Sequence, residues 1–260
     1  MQHAALGIEL VVQWQSVAGA RVLWWVAAVL RVVFTYSVFT AITVSDRKPP
    51  LTQGINGGWL VAVVATQSLV VLGCFAAPRF GGSEAVPLLL VSLWLAGGML
   101  YVWMISLIFY RYTFFQFLPS DLMPPCWINM GAMAISTLAG SLLILISGRS
   151  ALLTALDPFL RGFTLFYWAT ATWWIPMLIV LGVWRHGARR FPLRYDSNYR
   201  GLVFPLGMYA TASYRIREAM SLPILGALSE TFVGIALFAW TLTFFGLLRT
   251  LVLRTISYGR

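Results

Sequence analysis

Seven continuous apolar runs, at about residues 21–44, 57–77, 87–112, 126–147, 160–185, 201–220 and 227–252, dominate this sequence. A helix needs ~20 consecutive apolar residues to cross the hydrocarbon core of a bilayer. Each run meets that length, and lipid tolerates only structures that satisfy their backbone hydrogen bonds internally. The expected fold is therefore an all-α polytopic membrane protein with seven transmembrane helices. Strands of a β-barrel would instead alternate apolar and polar residues over ~10 positions, which these runs do not. Composition points the same way. Of 260 residues 60% are hydrophobic and 10% charged, against ~25% charged in soluble domains, and the mean hydropathy is +0.81. The 12 Trp, 10 Tyr and 17 Phe exclude a disordered chain.

The breaks between runs carry turn residues: Asp46 to Pro50, Pro78 to Ser83, Pro119 to Pro125, Ser147 to Ser150, the Arg-rich stretch Arg185 to Arg200, and Ser221 to Pro223. None is long enough to separate domains, so residues 1–260 read as one membrane domain. The formal charge of +10 is read as a topology signal rather than a nucleic-acid footprint, because Lys and Arg accumulate in cytoplasmic loops. The ends after the first, third, fifth and seventh runs hold Arg47, Lys48, Arg111, Arg185, Arg189, Arg190, Arg194, Arg200, Arg249, Arg254 and Arg260. The opposite ends hold only Arg21, Arg79, Arg149, Arg161, Arg215 and Arg217. This asymmetry predicts a cytoplasmic C-terminus. Arg31 remains, near the middle of the first run, where an unpaired charge costs several kcal/mol; packing or interface use is its expected role, and an anion-attracting site is the alternative.

Three runs open alike. Trp59 to Thr66, Trp127 to Ser136 and Val203 to Thr211 each follow a Gly or Pro and reach a small hydroxyl residue after about two turns. They recur at a spacing of roughly 70 residues, and each is followed by a run richer in Leu, Phe and Trp. A two-helix hairpin repeated in tandem around an axis explains the pattern. The small-residue helices belong inside, where backbones approach closely, and the bulky ones face lipid.

Four segments carry a resemblance: KPPL-x-x-GINGGWL (Lys48 to Leu60), WINMGAMAISTLAG (Trp127 to Gly140), GFTLFYWATATWWIP (Gly162 to Pro176) and VFPLGMYATASYR (Val203 to Arg215). Together they resemble the tellurite-resistance/C4-dicarboxylate transporter family, which includes the plant slow anion channels. The likeness runs from about Leu6 to Arg249. It implies a ten-helix fold of five hairpins whose five inner helices surround a central pore, and a homotrimer in bacteria. Leu6 to Val11 match the end of the third family helix, so the seven runs correspond to helices four to ten. The first two helices and most of the third have no counterpart, which leaves two forms open: a working short form, and a truncated, non-conducting chain with a packing or partner role.

The resemblance makes Phe204, in the Phe204-Pro205 pair, the carried-over gate that plugs the pore; the bland alternative is a core aromatic beside a helix proline. Ala62, Thr66, Asn129, Ala132, Ser136, Gly140, Gly207 and Thr211 recur at three- or four-residue spacing on the three repeat helices. They are candidates to line a narrow, weakly polar path that replaces part of an anion's hydration, or simply to allow tight packing. The Thr170 to Pro176 segment is assigned to packing. Arg185, Arg189, Arg190, Arg194 and Arg200, interrupted by Asp196, are expected to meet anionic lipid heads, with a mouth that concentrates anions as the second reading.

Catalysis and metals find little support. The eight acids and two histidines are scattered singly, Glu230 and His186 included, and Cys74 and Cys126 form no metal-ligand spacing. No cofactor and no enzyme activity are expected. No nucleotide-binding loop and no intramembrane acid chain are present to drive pumping. The expectation is passive transport of small anions, whether dicarboxylate, halide or oxyanion, across the bacterial inner membrane.

Overall fold

The structure, a computed structural model, describes residues 17–76, 83–192 and 197–258. Among them are seven long helices: α1 Val17–Val44, α2 Val61–Ala76, α3 Ala85–Phe114, α4 Ile128–Leu145, α5 Asp157–Val183, α6 Arg200–Met220 and α7 Leu225–Tyr258. Of the residues singled out from the sequence, His3, Leu6 to Val11, Arg79, Arg194, Asp196 and Arg260 lie outside the described residues.

Among the described residues six segments are long and apolar enough to cross a membrane: Val22–Val44, Gly57–Ala76, Ala85–Phe114, Pro124–Leu145, Asp157–Ala188 and Leu225–Thr250. The expected count of seven is not reached on this measure. The exception is α6, which is 21 residues long but carries Arg215, Arg217 and Glu218 in its last two turns; Arg215 and Glu218 pair at 2.7 Å. Its polarity does not set it apart from the bundle, since it packs extensively on α4 and α7.

Sequential helices pair as the tandem repeat predicts. α2 packs on α3, α4 on α5 and α6 on α7, while α1 lies on α2. The three repeat-opening helices are also neighbours of one another, α2 beside α4 and α4 beside α6. Backbone crowding explains this order. The α4 sequence is rich in Gly, Ala and Ser, and every residue from Asn129 to Ile144 is buried. Its hydroxyls return to their own helix, Ser136 donating to the Ala132 carbonyl at 2.8 Å, Thr137 to Met133 at 2.9 Å and Ser141 to Thr137 at 2.8 Å. None of these hydroxyl hydrogens is thereby left facing an apolar neighbour. By contrast α1 and α7 expose most of their large side chains, among them Phe34, Tyr36, Phe238 and Trp240, as lipid-facing helices do.

The GINGG segment builds the start of α2. Asn56 Oδ1 accepts the Gly58 N–H at 2.8 Å, and the Trp59 indole N–H donates to the Gly54 carbonyl at 2.8 Å. Gly57 has to be glycine, because a Cβ there would stand 2.2 Å from the Pro125 carbonyl oxygen. At the other end of the bundle α6 stops at Ser221, whose left-handed φ of 55° lets Leu222 N–H close back on the Arg217 carbonyl at 3.1 Å.

Candidate functional site

Phe204, Gly207 and Thr211 stand at i, i+3 and i+7 on α6 and so share one face of the helix. Phe204 is half-buried against the core. Gly207 has nothing within 4 Å of the place a Cβ would take. Thr211 is exposed, and its hydroxyl donates to the Gly207 carbonyl at 3.0 Å. Pro205 is buried and meets α4: a Cβ at Gly131 would come within 2.8 Å of Pro205 Cγ. The Gly131–Pro205 contact thus sets how closely α6 approaches α4. Beside it, the stripe of Phe204, Gly207 and Thr211 faces open space at Gly207 and Thr211 among the described residues.

The α4 candidates are placed differently. Asn129, Ala132 and Ser136 are 0% exposed, and they turn toward the bulky helices. The Trp94 indole N–H donates to the Ser136 carbonyl at 2.9 Å. Tyr101 OH donates to the Asn129 carbonyl at 3.1 Å and accepts from the Trp174 indole at 2.8 Å. Gly140 admits its neighbours: a Cβ there would sit 2.2 Å from Thr164 Oγ1 and 2.7 Å from Trp94 Cζ2. The Asn129 amide lies near the Tyr112 hydroxyl, yet neither of its polar atoms makes a hydrogen bond of good geometry. At Asn129, Ser136 and Gly140, α4 therefore meets residues of α3 and α5.

Thr66 has a partner that nothing in its sequence neighbourhood announces. Arg31 Nε and Nη2 both donate to Thr66 Oγ1, at 2.8 and 2.5 Å, while Thr66 donates its own proton to the Ala62 carbonyl at 2.8 Å. Ala62 and Arg31 line an open-sided cavity of about 570 Å³ between α1 and α2, together with Phe34, Trp59 and Met104; Phe34 on its rim is 63% exposed. A separation of 35 residues hides the pair from any local pattern. The only signal was Arg31 itself, a cation placed where lipid would surround it.

The sequence profile of the voltage-dependent anion channel family matches residues 3–248. The chain belongs to that family. An uncharacterized membrane protein of Mycobacterium tuberculosis is 37% identical over 162 residues, which is 62% of this chain and 81% of that protein. An uncharacterized transporter of Methanocaldococcus jannaschii is 24% identical over 242 residues, 92% of this chain and 67% of its own length. A second from the same organism is 25% identical over 213 residues, 81% of this chain and 60% of that protein. No solved structure matches. Family membership and these relatives point to a multi-pass membrane transporter or channel rather than an enzyme.

In this anion channel family member the basic residues at the GINGG end of the bundle work partly within the protein. Arg111 is 7% exposed; it donates to the Ile55 carbonyl at 2.6 Å and lies 3.5 Å from Asp121. Arg185 donates to the Leu122 carbonyl, with its guanidinium 4.5 Å from the Phe191 ring centroid. Arg185 is therefore a clamp on the loop before α4. His186 Nδ1 lies 2.8 Å from the Phe191 carbonyl, and Glu230 is exposed. Among the described residues no three His, Cys, Asp or Glu side chains lie close enough to hold a metal ion. The Thr170 to Pro176 segment joins α5 to α6 through the Thr172 hydroxyl, 2.7 Å from the Tyr209 hydroxyl.

Proposed function

We propose that this member of the anion channel family conducts small anions passively, with the Phe204 ring as a steric gate on the α6 face. The observation that carries the reading is the stripe itself. An aromatic ring at 204 is followed one turn later by Gly207, beside which no atom lies within 4 Å of a Cβ position, so the ring has space to swing along the helix. The Pro205 contact with Gly131 holds the backbone beneath it against α4. Beyond Gly207 the stripe offers Thr211, a hydroxyl and no charge. A weakly polar lining of this kind eases an anion's partial dehydration without trapping it.

The same reading takes the pore as formed within a homotrimer in the bacterial inner membrane, with the C-terminus cytoplasmic as the Arg and Lys asymmetry indicates. Dicarboxylates, halides and oxyanions all remain within the substrate class. Reconstitution in liposomes tests the gate. Phe204→Ala is expected to raise anion flux several-fold over wild type, and equal flux in the two proteins, or none in either, overturns the reading.

A further inference from the structure

Arg31 is the fifteenth of 28 residues in α1, about 20 Å from either helix end at ~1.5 Å per residue. Lipid phosphates cannot reach that depth, and among the described residues no acid pairs with it. A guanidinium has five N–H donors. Two go to Thr66, and no protein acceptor among the described residues takes the others. The two neighbouring hydroxyls on the cavity wall are committed to their own helices, Thr35 donating to the Arg31 carbonyl at 2.6 Å and Ser68 to the Val64 carbonyl at 2.8 Å. The remaining wall is apolar, with Leu30, Phe34, Trp59 and Met104 prominent.

We propose that the cavity between α1 and α2 is a binding site for an organic monoanion, a single carboxylate-type charge on an apolar body, held by Arg31. Size and wall chemistry together select this class. At about 570 Å³ the cavity falls within the ~300–1,000 Å³ of ordinary ligand pockets and is far too large to be filled by a halide. A small inorganic anion would leave most of its hydration shell without replacement against apolar walls. A dicarboxylate would bring a second charge that no cation meets. One carboxylate on Arg31, with a ring or short chain against Phe34 and Trp59, satisfies the charge and the surface at once. Thr66 is the positioning residue: with its proton on the Ala62 carbonyl it can only accept, and this fixes the guanidinium and leaves its other edge for the ligand. The site shares no residue with the Phe204 stripe, so it goes beyond the conduction reading and is read by binding rather than by flux.

Equilibrium binding of radiolabelled benzoate to the full chain in nanodiscs tests the site, with benzyl alcohol, chloride and oleate as competitors. Saturable benzoate binding is expected. Arg31→Gln is expected to weaken it about 10- to 100-fold, the scale of a charged hydrogen bond. Ala65→Phe, which fills the cavity wall while keeping Arg31 and Thr66, is expected to abolish it and decides the matter should Arg31→Gln not fold. Phe204→Ala is expected to leave binding unchanged, which separates this site from the gate. Competition by oleate identifies a lipid-derived acid as the source, and its absence a water-soluble one; both agree with the proposal. Absence of saturable binding, equal displacement by benzyl alcohol or by chloride, or unchanged binding in Ala65→Phe would overturn it.

Discussion

Pro205 occupies the space a side chain on Gly131 would need: a Cβ at Gly131 would lie 2.8 Å from Pro205 Cγ and 3.2 Å from its Cα. The backbone atom in that contact cannot move aside as the end of a flexible side chain would. Gly131→Ala is expected to push α6 away from α4 and to destabilise the protein by about 1–3 kcal/mol, the usual range for an overpacked core. Thermal unfolding in detergent measures it, and a stability equal to wild type would show that the crossing is not held at this point.

Gly207 makes the opposite prediction. Nothing lies within 4 Å of its Cβ position, so Gly207→Val is expected to leave stability unchanged or slightly raised. Replacing glycine inside a helix removes a backbone entropy cost of ~0.5–1 kcal/mol. The new side chain would also fill the space beside Phe204, so anion flux is expected to fall while the melting temperature holds. A matched fall of both would point to a packing role instead.

Arg111 ties α3 to two loops through the Ile55 carbonyl and Asp121. Arg111→Met keeps the apolar stem and removes the charged donor. The expected cost is about 1.5–3 kcal/mol, because a buried carbonyl loses a charged partner. Asp121→Asn is expected to cost less than ~1 kcal/mol, since that carboxylate is partly exposed and 3.5 Å away. Similar losses from both variants would mean that the ion pair, and not the Ile55 carbonyl, carries the joint.

Glu84, just before α3, accepts from the Ser150 hydroxyl at 2.5 Å and from the Ala151 N–H at 2.9 Å. The Ser150 hydrogen bond foremost, assisted by backbone N–H groups, holds its carboxyl below the ordinary carboxylate value. A depressed folded pKa gives stability that is complete above the unfolded value of ~4.3 and is lost as pH falls through the lower folded value. Melting temperature measured between about pH 6 and 3 is therefore expected to drop less in Glu84→Gln than in wild type. Parallel curves would remove this joint from the acid response.

Much of this architecture was legible in the sequence because the signal is local. Twenty apolar residues in a row become a helix in lipid whatever surrounds them, and the small-residue openings at Trp59, Trp127 and Val203 identified the three helices that adjoin one another. What the local signal missed was direction. Ser136 and Gly140 resemble Gly207 and Thr211 in size and spacing, yet the first two meet Trp94 and Thr164 while Gly207 and Thr211 look into open space. Helical spacing says which residues share a face, and only the neighbouring helices decide what that face meets.

The same division holds for the charges. Apolar length, a sum over the chain, was enough to call for a membrane bundle, and the one-sided Arg and Lys count, another such sum, supplies an expected orientation. The individual roles of Arg31, Arg111 and Arg185 depended on acceptors 35, 56 and 63 residues away. Those acceptors, a threonine hydroxyl and two backbone carbonyls, have no distinguishing mark in sequence, because a carbonyl becomes a cation's partner only when the fold leaves it free at a helix end or a turn. Tertiary structure therefore decided which arginines hold the protein together and which one faces a cavity.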